Sequence, residues 1–358
     1  MRRPSLLAAV LAAVVLSASA CSDGTVGADG EVTVSGRFEG PDGRALAGAD
    51  VVLLNPRASD DGPPSVELTA GTLAMACLAP GPPAECEAAA RTRTDADGAF
   101  RFELTGRDVQ GPDGNPAIVH LAAAAPGGGP AVGARFQVAR RSLTVPTLGL
   151  WAPDLELTTG RTVRGEWTAR ETGSIERLVF FAGAGQGRAG SIVWIADGRP
   201  TLSVDPRVLE DSVGTAAVES LGSAEGDGTT FRLTYRSRPV AYTGQGGTPA
   251  SRLLECTPEP CAVTDGDLTA PAQGESAGGG EVSVDLGSSM TPTLVVVRGC
   301  PATCDVQTSV DGLTFRTVGS AATPFALVTP VLSAPVRYVK VASTTDLGAL
   351  AEVSVWLT

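Results

Sequence analysis

Seven cysteines and one histidine bound the chemistry open to this 358-residue chain. Six of the cysteines fall into three close pairs: Cys77 with Cys86, Cys256 with Cys261, and Cys300 with Cys304. In an oxidising compartment each pair is a local disulfide that pins a loop, and Cys21 is left over. Loops this short remove little unfolded-state entropy, so each bridge stabilises less than a long-range one would. A four-cysteine zinc site from the last two pairs is the alternative, against which stand the compartment and the non-standard spacings. His120, the only histidine, lies in the strand-like run Ile118–Ala122, the setting of a structural residue. A Ser–His–acid triad would have to use it, yet no Gly-x-Ser-x-Gly elbow accompanies it. Carboxylate pairs of the glycosidase kind stay open, because acids are plentiful and sequence does not show their separations. No catalysis is expected.

Cys21 takes its meaning from what precedes it. Met1-Arg2-Arg3 is a basic leader, Ser5 to Leu16 is an apolar run, and Ser17-Ala-Ser-Ala20 closes it with small residues. Residues 1–20 therefore read as an export signal, too short for a stable membrane span. Small residues directly before a cysteine resemble the lipobox of bacterial lipoproteins, with Ala18 where leucine is preferred. That resemblance implies that Cys21 is lipidated and becomes the new N-terminus of an exported cell-envelope lipoprotein at an outer membrane or cell surface. Ordinary cleavage after Ala20, giving a free secreted protein, is the alternative. Residues 21–30 are small and polar and read as a flexible tether.

The elements that must position any site are β-strands. With 44 Gly and 26 Pro, the chain alternates turn clusters with short β-prone runs and shows no long helical stripe. The fold class expected is all-β, as tandem β-sandwiches. The net charge of −12 becomes −14 when Arg2 and Arg3 leave with the signal, so neither nucleic acid nor anionic headgroups are expected as partners.

Three units are expected. In residues 31–148, Val32, Val34 and Phe38 alternate, a turn at Asp97-Gly98 precedes Phe100, Phe102 and Leu104 on one strand face, and two strands follow in 118–122 and 132–138. The stretches Val34-Ser-Gly-Arg-Phe38, Gly43 to Val51 and Thr94-Asp-Ala-Asp-Gly-Ala-Phe100 resemble the carboxypeptidase regulatory-like domain, which implies a transthyretin-like sandwich. Asp95 and Asp97 are read as turn formers, since a bare Asp-x-Asp-Gly lacks the remaining ligands of a calcium loop. Residues 149–239 offer strands at 163–167, 178–182, 191–195 and 231–235, in an order similar to a fibronectin type III or immunoglobulin-like sandwich. Gly185 to Gly190 matches Gly-x-Gly-x-x-Gly by spacing but runs into a strand, so a hairpin loop is expected rather than a dinucleotide site.

In residues 240–358, five motifs follow in order: Val263 to Thr269, Val282 to Gly287, Val306 to Gly312 with Phe315, Val336 to Val341, and Ala351 to Trp356. Their succession resembles the discoidin (coagulation-factor type C) domains among the galactose-binding-like jelly rolls. The resemblance implies a calcium site with Asp265, Asp267, Thr269 and Glu352 as candidate ligands. This chain departs from it by a shorter spacing to Thr269 and no following tryptophan, so a simple turn is the alternative. Ligand recognition on the rim loops is also implied. Phe315, Tyr338 and Trp356 lie in strand or strand-flanking motifs, where core packing is the expected role, and no sugar-contacting residue is named.

The expected function is a non-catalytic, lipid-anchored envelope protein whose discoidin-like unit recognises a glycan or another surface component. The alternative is a structural spacer or assembly partner that contacts other envelope proteins and binds no small ligand. Calcium is the one candidate cofactor.

Overall fold

A computed structural model describes residues 26–55, 74–75, 77–78, 86, 90–171, 174–182, 190–196, 199–252, 254–257, 263–264, 280–300, 303–321, 325–330, 332, 334–344, 347, 350 and 352–357. These residues form an all-β molecule of several sheets, arranged as successive sandwiches.

The first stretch supplies β1 (Glu31–Glu39), β2 (Asp50–Leu54), β3 (Ala90–Arg93), β4 (Ala99–Thr105), β5 (Ile118–Ala124), β6 (Ala131–Gln137), β7 (Ser142–Thr144) and β8 (Leu148–Gly149). In β1 the alternating Val32, Val34 and Phe38 are fully buried, because a strand sends every second side chain to the same face. β1 pairs antiparallel with β4, and Phe38 stacks on Phe100 with ring centroids 5.0 Å apart. Gly98 makes the entry to β4 feasible. Its φ is +74°, and a Cβ there would lie 2.4 Å from the Phe38 carbonyl oxygen. The β4-β1-β7 layer, with β8 alongside β1, faces the β6-β5-β2-β3 layer across one apolar core. On the outer face of the second layer, Cys77 and Cys86 pack on Val52 and Leu54, while Ala74 and Met75 pack on Ala122 and Ala131.

The second stretch supplies β9 (Glu156–Thr158), β10 (Val163–Glu166), β11 (Ile175–Ala182), β12 (Gly190–Ala196), β13 (Thr201–Val204), β14 (Val213–Gly226), β15 (Thr229–Arg236) and β16 (Val240–Thr243). β14 is 14 residues long and serves two sandwiches. Its first half lies between β11 and β16, and its second half forms a hairpin with β15. β15 then pairs with β6, so one sheet runs β12-β11-β14-β15-β6-β5-β2-β3 across residue 148. Phe231, Leu233 and Tyr235 of β15 are buried in the core of the first sandwich. Burial contributes about 1.5–3 kcal/mol for each of the apolar pair Phe231 and Leu233.

The third stretch supplies β17 (Cys256–Thr257), β18 (Glu281–Met290), β19 (Pro292–Arg298), β20 (Cys304–Ser309), β21 (Arg316–Ala321), β22 (Phe325–Val328), β23 (Val336–Ser343) and β24 (Glu352–Leu357). The β17-β18-β23-β20-β21 sheet faces β22-β19-β24. Val284, Val339 and Val341 are buried between them with Val295, Val297, Val353 and Val355. The opposite face of β19 and β24 points elsewhere. Leu294, Val296 and Trp356 join Val163, Trp167, Leu178 and Phe180 in the core of the middle sandwich. Apolar packing therefore also runs across residue 240.

Candidate functional site

A shallow, open cleft of about 310 Å3 lies where the first and middle sandwiches meet. One wall is the turn after β1. The Gly43 N–H donates to the Gly40 carbonyl at 3.0 Å, and the Gly40 N–H donates to the Arg44 carbonyl at 2.7 Å. β8 runs parallel to the end of β1, and the Leu150 N–H donates to the Glu39 carbonyl at 2.8 Å. That ladder delivers Trp151 to the junction, where it packs against both cores. Arg170 and Tyr235 close the far side.

Arg170 is held from both ends. Its guanidinium carbon sits 3.9 Å from the Tyr235 ring centroid, a cation–π contact, and its backbone N–H donates to Glu176 Oε1 at 2.6 Å. Glu176 is buried and also accepts from Trp167 Nε1 at 2.6 Å and from the Ser174 hydroxyl at 2.8 Å. Three donors on one carboxylate fix the segment that carries the arginine. Burial raises the Tyr235 phenol above its ordinary pKa, with the Arg170 charge opposing it. The cleft thus offers an indole edge, a stacked cation and one carboxylate, Glu39, among glycine backbone.

A different construction joins the middle and C-terminal sandwiches. Arg298 of β19 is buried, and its guanidinium donates to the Ser354 hydroxyl at 2.7 Å and the Val208 carbonyl at 2.8 Å. Glu210 lies 3.5 Å from Arg298 Nη1, accepts from the Ser354 hydroxyl at 2.7 Å, and pairs with Arg252. Burial lowers the Arg298 pKa, while Glu210 and Glu352 oppose that shift. Glu210 has φ +50°, a left-handed backbone that costs a non-glycine residue about 1–2 kcal/mol, and its three partners hold it there.

The residues singled out in the sequence are placed as follows. Cys77–Cys86 and Cys300–Cys304 are disulfides, which removes the second pair from any four-cysteine zinc site. Cys256 is on β17; Cys261 lies outside the described residues, as do Cys21, Asp265, Asp267 and Thr269. Glu352 is fully buried on β24, directly opposite Arg298. Among the described residues no three His, Cys, Asp or Glu side chains converge on a metal position. The Gly185–Gly190 stretch connects β11 to its antiparallel neighbour β12, with residues 183–189 outside the described set. His120 is buried, its Nδ1 without a partner among the described residues.

Of the three C-terminal aromatics, Trp356 is core, as expected, although of the middle sandwich. Phe315 and Tyr338 are half-buried instead, and cations cover them: Lys340 Nζ is 4.2 Å from the Phe315 centroid and Arg337 is 5.2 Å from that of Tyr338. Trp151, Arg170, Glu210 and Arg298 carry the junction geometry, and no motif in the sequence marks them.

No protein-family model matches the chain, and no curated protein matches it. Among solved structures it overlaps SpGH29 at 21% identity, over 31% of this chain and 28% of that one, with a TM-score of 0.25. This chain therefore spans little more than a quarter of that protein's length. It overlaps the shaft pilin SpaA of Lactobacillus rhamnosus GG at 11% identity, over 61% of this chain and 95% of the pilin, with a TM-score of 0.20. The major pilin SpaA of Corynebacterium diphtheriae matches at 9% identity, over 90% and 92% of the two chains, with a TM-score of 0.18. Superpositions this loose carry no argument about what the chain does.

Proposed function

We propose that this chain is a non-catalytic envelope protein, lipidated at Cys21, that works as a stiff spacer holding its C-terminal sandwich away from the membrane. The observation that carries the reading is the sharing of cores: β15 completes the first sandwich, and Trp356 completes the middle one. Units built to swivel would each close their own core and meet through small polar contacts. A lipid anchor needs more than one acyl chain for durable attachment, as a diacylated or triacylated cysteine supplies. Palmitate labelling of the native chain and of Cys21→Ala tests the anchor; equal labelling rejects it. Small-angle scattering of the mature chain tests the stiffness, and a profile that requires many arrangements of the three sandwiches rejects the spacer.

The second reading, glycan recognition, is favoured by the cleft at the first junction. An indole edge, a fixed arginine and a carboxylate match the apolar face and hydroxyls of a sugar. Its lining carries one carboxylate, whereas hydrolysis by a carboxylate pair needs two. A glycan array read with the native chain and with Trp151→Ala separates the readings: a signal lost in the variant supports recognition, and silence favours the spacer. Calcium on Asp265, Asp267, Thr269 and Glu352 belongs to the same proposal. Glu352 already opposes the buried Arg298 charge, so the ion would have to share that carboxylate. Calorimetry with calcium decides it, and absence of binding heat removes the ion from the reading.

A further inference from the structure

We propose that the outer face of the sheet where β6 meets β15 binds a tetrahedral oxyanion of the phosphate class, held between Arg135 and Arg232. These two arginines are direct cross-strand partners. Opposed like charges destabilise a ladder, and their Cα atoms are roughly 5 Å apart. Neither guanidinium has an ion pair or hydrogen bond among the described residues, although the chain carries net charge −12. Two rows along the same face, Arg177 and Arg236 pinch Glu219 in the arrangement that Arg135 and Arg232 lack, with Arg236 donating at 2.6 and 2.8 Å and Arg177 at 2.8 Å. One pair of arginines has its anion built in, and the other has none among the described residues.

The surroundings support the assignment. Ser223 lies opposite Arg232 on β14 and is exposed, so its hydroxyl extends the row of donors. His120 lies opposite Arg135 on β5, buried, with Nδ1 unpartnered, and the Arg135 charge helps lower its pKa to about 4. Glu225, an acid on the same face of β14 as Ser223, accepts from the Thr230 hydroxyl at 2.8 Å. Two facing guanidiniums present up to four N–H groups in two planes, which suit the several oxygens of a phosphate better than the two of a carboxylate. The group has two sources, free phosphate or a phospholipid headgroup, and both present the same oxygens.

The single histidine makes the test clean. The His120 Cε1–H resonance of the mature chain, made with Cys21→Ser to omit acyl chains, is followed by NMR while inorganic phosphate replaces chloride at constant ionic strength. The expected result is a saturable shift and a raised His120 pKa, both lost in Arg232→Gln, whose exposed position leaves the fold intact. Sedimentation with phosphatidylglycerol vesicles, against phosphatidylcholine vesicles, separates the sources, and Arg232→Gln should lose that binding as well. A linear or absent phosphate response together with no vesicle binding overturns the proposal. So does an equal response to acetate, or one unchanged in Arg135→Gln/Arg232→Gln.

Discussion

The two junctions of this molecule solve the same problem in opposite ways. Between the first and middle sandwiches the joint is backbone: β14 crosses it, and β15 hydrogen-bonds to β6 while burying Phe231 and Leu233. Between the middle and C-terminal sandwiches the joint is side chains: an apolar patch around Trp356, beside a desolvated cluster of Glu210, Arg252, Arg298 and Ser354. Ladder hydrogen bonds and apolar burial depend little on pH or salt. A buried ion cluster balances large opposing terms, so it is stable only while complete. The first joint should therefore fail only when its sandwich unfolds, and the second should fail when a single charge is removed.

Four measurements sharpen that contrast. Phe231→Ala should cost about 3–5 kcal/mol in denaturant unfolding and weaken the first sandwich although the residue follows it by some eighty positions. A loss confined to the middle sandwich, read by hydrogen exchange, would break the claim that β15 completes the first sandwich. Glu210→Gln should cost about 2–4 kcal/mol by leaving Arg298 and Arg252 undercompensated, with increased exchange concentrated in β19 and β24. A uniform loss across all three sandwiches would show that the ion cluster is no local joint.

Acid gives a third measurement. The His120 pKa of about 4 lies below the ordinary 6.5, because burial and the Arg135 charge disfavour the imidazolium. The unfolded chain therefore takes up the proton first on acidification. Stability from this group is intact above pH 6.5 and declines by about 3 kcal/mol as the pH falls to 4. His120→Leu should flatten that segment of the stability profile. Asp311 acts below this window. The N–H groups of Leu313 and Thr314, each 2.9 Å from its Oδ1, and the Ser309 hydroxyl hold it near 2, so its contribution is lost only as pH falls further. The smallest effect is expected at the cleft. Arg170→Gln removes the contact with Tyr235 and should cost about 1 kcal/mol, measured by thermal unfolding. A markedly larger loss would move Arg170 from the cleft to the frame of the molecule.

How far the sequence reveals this structure depends on how much side-chain contrast each strand carries. β1 and β4 are legible because Val, Phe and Leu alternate with polar or charged residues, so the buried face is written out. β14 is hidden. Its sequence, Val-Gly-Thr-Ala-Ala-Val-Glu-Ser-Leu-Gly-Ser-Ala-Glu-Gly, is rich in small residues, and the strand is buried by its neighbours rather than by its own bulk. The same limit applies to the sites. Two of the cysteine pairs are read from proximity alone and are bonded. Arg298 and Glu210, 88 positions apart, meet only because two sandwiches dock, and nothing local announces that. Arg135 and Arg232 become partners only through the β6–β15 ladder.

If the chain is the spacer proposed above, the length of β14 bears on how it would carry load. Chains of sandwiches strung on loops yield first at the loops, which lengthen under tension before any sheet gives way. Here a pull between Val26 and Leu357 would be resisted at the first boundary by β15, which, though far along the chain, is laced into the N-terminal sandwich. Extension there requires tearing the β6–β15 ladder and uncovering a phenylalanine and a leucine together. In such a spacer a thread would become a beam at this boundary, through one hairpin placed out of sequence order.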